Sequence, residues 1–79
     1  MIRELDRVVL TAPIPAEGLG AGDVGTVVHA YEDAAAFEVE VVALDGRTVA
    51  VVTVDEASVR PVGASEIAHA RAINSPDKD

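Results

Sequence analysis

The run Phe37-Glu38-Val39-Glu40-Val41 alternates apolar and acidic residues without a break. A period of two puts Phe37, Val39 and Val41 on one face of a strand and Glu38 and Glu40 on the other. Shorter apolar runs flank it. Val8-Val9-Leu10-Thr11 is the first, ended by Ala12-Pro13-Ile14-Pro15, where two prolines remove ladder donors and fix φ. Gly18, Gly20 and Gly22 continue an irregular loop to Asp23. The segment from Val24 to Tyr31 is a second strand, and Gly25 near its start marks a bulge or a close backbone approach. A turn at Glu32-Asp33-Ala34-Ala35 leads into the alternating strand. Asp45-Gly46 is a strong hairpin signal joining that strand to Thr48–Val54. Apolar residues occupy both faces of this fourth strand, so its inward set stays open. Asp55-Glu56-Ala57-Ser58 predicts one 3₁₀ turn before a last short strand, Val59-Arg60-Pro61-Val62, which Pro61 confines to an edge or a barrel end.

Five short strands, a long first loop, a tight hairpin and a 3₁₀ turn before the last strand predict an all-β fold, a small five-stranded SH3-like barrel over residues 1–62. Closure suits so short a chain because it hides strand edges. An OB-like barrel is the alternative, but Asp45-Gly46 leaves no room for the helix such a barrel carries between its third and fourth strands. Composition shifts at Gly63. Residues 63–79 form a C-terminal tail, helical or flexible, with a short helix expected over 65–73. Ser65 would be its N-cap, Ile67, Ala70 and Ile73 its apolar stripe, and Asn74-Ser75-Pro76 its stop. At that length a helix is marginal alone, so the segment docks on the barrel, docks on a partner, or frays. Ser75–Asp79 reads as a polar tail.

Composition narrows the functional classes. The 79-residue chain is 49% apolar, mostly valine and alanine, with Tyr31 and Phe37 its only aromatic rings of the Phe/Tyr/Trp type. That is enough for a folded core and too apolar for a disordered chain. Fourteen acidic against six basic side chains give a net charge of −8. Such a balance argues against nucleic acid and against anionic membranes, which need a basic footprint. No apolar run reaches a membrane span and no signal peptide begins the chain, so a cytoplasmic protein is expected. With no cysteine there is neither a disulfide frame nor a thiolate.

Candidate chemistry is sparse. The glycines from Gly18 to Gly25 precede a strand rather than a helix, and Asp23 would repel a phosphate, so they read as turn formers. His29 and His69 have no spacing that forces them together with a carboxylate, and no metal or cofactor is expected. No serine or threonine has a base at a nucleophile spacing, which argues against an enzyme. Tyr31 and Phe37 are too few for an aromatic groove of the proline-peptide type. Phe37 is the expected core anchor, and Tyr31 is either a contact residue or a rim residue capping the core. Residues 32–62 hold seven carboxylates against two arginines, −5 of the total −8. If Tyr31, Glu32, Asp33, Glu38 and Glu40 share a surface, it would steer a basic partner protein; otherwise the charge only keeps the barrel soluble.

Three stretches, Leu5–Thr11, Gly22–His29, and Phe37–Val41 followed by Asp55–Val62, together resemble a family of short bacterial proteins known as a domain of unknown function. Its pattern is a V-V-L-T start, a Pro/Gly-rich loop and a G-D-x-G-T-V-V block, and the likeness spans roughly residues 4–62. The resemblance implies a small β-barrel without an established activity. It also suggests a protein encoded beside a second, sometimes toxin-like, protein, hence an antitoxin or immunity role. Gly22–Val27 is also similar to KOW-type modules, which implies RNA or ribosome association, although the Lys and Arg such modules place around this turn are missing here. The expectation is therefore a non-enzymatic protein-interaction module, with a KOW-like RNA module or a self-associating homo-oligomer as alternatives.

Overall fold

The computed structural model describes residues 1–73. Five strands form one antiparallel sheet: β1 (Arg7–Leu10), β2 (Val24–Ala30), β3 (Ala36–Val42), β4 (Thr48–Asp55) and β5 (Val59–Pro61). Their order across the sheet is β4-β3-β2-β1-β5, so β5 returns to the first strand after the other four have run as a meander. The sheet curls over one core, and a 3₁₀ turn at Glu56–Ser58 leads from β4 into β5. This is the SH3-like barrel that the strand pattern predicts. The helix of an OB-like barrel is absent between β3 and β4, where Ala43–Arg47 instead closes a hairpin through Ala43 N–H to Arg47 O (2.8 Å) with Gly46 at φ 96°.

The core is built from alternate residues, as a period of two requires. Val8 and Leu10 of β1, Val27 of β2, Phe37, Val39 and Val41 of β3, and Ala50, Val52 and Val54 of β4 face it, joined by Val59 and Leu19. Phe37 is its largest member and only 2% exposed. The inward set of β4, open on sequence, is thus Ala50, Val52 and Val54, leaving Val51 and Thr53 outside. No polar or charged side chain is buried among the described residues.

Gly25 marks a close approach, as its place near the strand start suggests. A Cβ there would run into the Val39 side chain and lie 2.9 Å from the Glu40 carbonyl oxygen. The bulge sits elsewhere, between Val27 and His29 in the β2–β3 ladder. The first loop is tied by a two-way backbone pair, Ile14 N–H to Leu19 O (2.9 Å) and Leu19 N–H to Ile14 O (3.1 Å), which seats Leu19 in the core. No described helix is long and apolar enough to cross a membrane.

The helix expected over 65–73 does not form, and residues 66–73 carry no regular structure. Instead, Glu66 turns back. Its N–H donates to Gly63 O (3.2 Å), and its carboxylate accepts from Gly63 N–H (2.5 Å) and from both Arg60 terminal nitrogens (2.9 and 2.7 Å). That single turn consumes the capping groups of a helix without propagating one. Further on, Arg71 donates to both oxygens of Asp23 (2.9 and 2.5 Å) and to Gly18 O (3.1 Å). Of the fates open to this segment on sequence, it docks on its own barrel, as a strap held at two points. The stop at Asn74-Ser75-Pro76 and the polar tail at Ser75–Asp79 lie outside the described residues.

Candidate functional site

The outer face of the sheet carries two rows of side chains, because directly paired residues of an antiparallel sheet share a side. One row is Arg7, Thr26, Glu40 and Val51, from β1 to β4; the other is His29, Glu38 and Thr53, from β2 to β4. Glu38 and Glu40 therefore lie on the outward side of β3, next to the edge strand β4, with His29 and Thr53 beside Glu38 and Thr26 and Val51 beside Glu40.

These two carboxylates are held in place. Glu38 Oε2 accepts from the Tyr31 hydroxyl (2.7 Å) and from Thr53 Oγ1 (2.7 Å), and Glu40 Oε2 accepts from Thr48 Oγ1 (2.7 Å). The phenol of Tyr31, followed by the Thr53 hydroxyl, holds the Glu38 carboxyl below its ordinary pKa, while the same bond raises the phenol. Tyr31 is 42% exposed and stands edge-on to the His29 ring, centroids 4.6 Å apart. His29 Nδ1 lies 3.5 Å from Glu4 Oε2. The result is a continuous patch of Glu4, His29, Tyr31, Glu38 and Thr53 on the second row.

Of the five residues singled out on sequence, the structure brings Tyr31 and Glu38 into direct contact and puts Glu40 on the same face. Glu32 and Asp33 are exposed in the turn that connects β2 to β3, at the end of the barrel. Ala36 pairs with Asp55, and Glu56 N–H donates to Ala35 O (3.0 Å), so β4 delivers two more carboxylates to that end. Sequence reasoning did not find His29, Thr48 and Thr53. For His29 and Thr53 the signal is register: once β3 is paired, a residue opposite the outward Glu38 must itself be outward, whereas Thr48 pairs with Val42 past a register shift and reaches Glu40 from there. Tyr31 is a surface residue and not a cap on the core.

The same outer face continues under the strap, where Arg7, Thr26 and Glu40 of the first row are part of a groove lining. The open groove, of about 630 Å³, lies between the strap and the outer face of β1, β2 and the β3–β4 hairpin, lined also by Val9, Val24, Val42, Leu44, Val62 and Ile67 among others. Val9, though buried at 6% exposure, is outside the core cluster and belongs to this side. Asp23, the acid of the G-D-x-G-T-V block, is bonded to Arg71, whose guanidinium lowers its pKa against an opposing effect of partial burial. Among the described residues, no three His, Asp or Glu side chains converge as metal ligands.

The family described as a domain of unknown function, DUF4926, matches residues 4–61, from the N-terminal segment to the end of β5. The chain belongs to that family. The match takes in every strand and stops before the strap, so the DUF4926 barrel is the unit in which the rows of Glu38 and Glu40 are set. No curated protein and no solved structure matched the chain.

Proposed function

We propose that this DUF4926 barrel is a non-enzymatic, cytoplasmic interaction module that presents the outer face of β2–β4 to a basic protein. The observation that carries this reading is the fixing of Glu38 and Glu40 by Tyr31, Thr53 and Thr48. Three hydroxyl donors hold two outward carboxylates on β3, so little side-chain freedom is lost when a cationic surface docks. Glu32, Asp33, Asp55 and Glu56 extend the field at one end of the barrel and speed the encounter. A toxin or effector whose basic active site this face covers is one partner of the required chemistry, in an antitoxin or immunity role.

The test is affinity capture from the source cell, comparing the native chain with the double variant Glu38→Lys, Glu40→Lys. The captured protein should be basic, and its affinity should fall at least about tenfold for the variant, with a steep loss at raised salt. Retention of the same partner at unchanged affinity after charge reversal would remove this reading.

A further inference from the structure

The strand order leaves β4 at one edge of the sheet, and that edge is unprotected. Thr48–Asp55 has eight residues without proline, lysine or arginine, and Asp55 at its end is the only charge. The opposite edge, β5, has three residues and ends in Pro61. Natural sheets blunt their edges by such means, and an edge that is long, apolar and uncharged is a template for another strand.

Which backbone groups are free follows from the hydrogen bonds at the strand ends. Ala36 O accepts from Tyr31 N–H (3.0 Å), so Ala36 directs its main chain toward β2. Ala35 O accepts from Glu56 N–H (3.0 Å), so position 35 directs its own toward β4. Backbone groups alternate sides along a strand, which makes Phe37 and Val54 a hydrogen-bonded pair. Val54 and Val52 then bond to β3, while Val51, Thr53 and Asp55 turn N–H and C=O away from the sheet. Among the described residues, no backbone hydrogen bond from the non-β3 side reaches Thr48–Val54.

We propose that the free edge of β4 accepts an extended segment of the partner protein as a sixth strand, and that this segment carries arginine or lysine at alternate positions. The inference rests on the reading that the β2–β4 face binds a basic protein, and it specifies how. Outward side chains of an added strand would stand beside Val51 and Thr53. Glu38 and Glu40 lie one strand further in, about 10 Å away at two strand spacings, a span that an extended arginine and a glutamate bridge together. Main-chain pairing supplies the adhesion, and the acidic rows select the side chains. A second copy of this chain is the poorer occupant. Its β4 would set another row of Glu38 and Glu40 on the same face, and its β5 offers three residues of which Pro61 has no N–H.

The experiment titrates the ¹⁵N-labelled full chain with an end-blocked heptapeptide alternating valine and arginine. Three control peptides differ from it in one respect each: backbone N-methylation along one edge, N-methylation along the other, and glutamate in place of arginine. The plain peptide should slow exchange of the Val51 and Thr53 amides at least about tenfold. N-methylation on the pairing edge should weaken binding by a similar factor, and so should the glutamate replacement. If the arginine peptide shifts Glu38 and Glu40 but leaves the Val51 and Thr53 amides unchanged, and N-methylation has no effect, the acidic face stands and the sixth strand is overturned. Absence of any binding overturns the sixth strand too, and the captured partner's response to charge reversal then judges the face alone. Concentration-dependent protection of the same amides without peptide, together with a dimer mass by light scattering, would overturn the basic partner segment in favour of a second copy.

Discussion

At Gly25 the backbone of β2 passes so close to β3 that one methyl group would meet both the Val39 side chain and the Glu40 carbonyl oxygen. Neither neighbour gives way easily, since Val39 is fully buried and the carbonyl belongs to the strand itself. Gly25→Ala should cost about 1–3 kcal/mol, the range for overpacking a well-filled core, seen as a lower urea midpoint with an unchanged slope. An unchanged midpoint would mean that β2 can move off β3, and with it the outward row of Glu40. This residue was legible from its place in a strand pattern, because an isolated strand glycine has few other uses. The two consecutive left-handed residues at Asp33 (φ 72°) and Ala34 (φ 53°) were not legible. Alanine rarely adopts that conformation, and nothing in its chemistry announces it. What decides it is the need to turn β2 back onto β3 within the few residues available.

Among the elements, β3 was readable residue by residue because only one of its faces is apolar. β4 was not, because Val49 and Val51 interrupt the alternation, and its inward face emerged only from pairing with Phe37, Val39 and Val41. The segment after β5 shows the opposite error. Ser65, Glu66 and the stripe of Ile67, Ala70 and Ile73 have the marks of a helix, yet the Arg60 guanidinium and the Gly63 N–H capture the Glu66 carboxylate first. A ten-residue helix has little cooperativity with which to oppose that. The strap that results has a pH signature. The Arg60 hydrogen bonds, followed by the Gly63 N–H, lower the Glu66 pKa from 4.5 to about 2. A depressed carboxyl stabilises the docked strap fully above about 4.5, and that contribution is lost as pH falls toward 2. Arg60→Ala should return the Glu66 carboxyl to the ordinary glutamate range in an NMR titration, and acidification of the native chain should unprotect amides near Glu66 before those of β1–β4. A Glu66 carboxyl that still titrates near 2 without Arg60 would show that the pair does not hold the strap.

For the whole molecule, β1 pairs with both β2 and β5, so the five-stranded sheet is complete only when β5 has returned to the first strand. Folding concentrates twelve side-chain carboxylates of the described residues on a body whose Cα radius of gyration is 12.3 Å. Three of the arginines, Arg47, Arg60 and Arg71, are paired with acids of the same molecule. Self-repulsion therefore opposes compaction, and the thermal midpoint should rise by a few degrees between low salt and about 0.15 M NaCl, where screening reaches roughly 8 Å. A midpoint that falls with salt would place the attractive pairs ahead of the repulsion. Tyr31 brings a different consequence. It is the single tyrosine of a chain without tryptophan, and its hydroxyl is bonded to Glu38 on the outer face. Nearly all of the protein's near-ultraviolet absorption and emission thus originates at the candidate surface, and a ligand that takes the Glu38 carboxylate away from that phenol changes the optical spectrum directly, without a label.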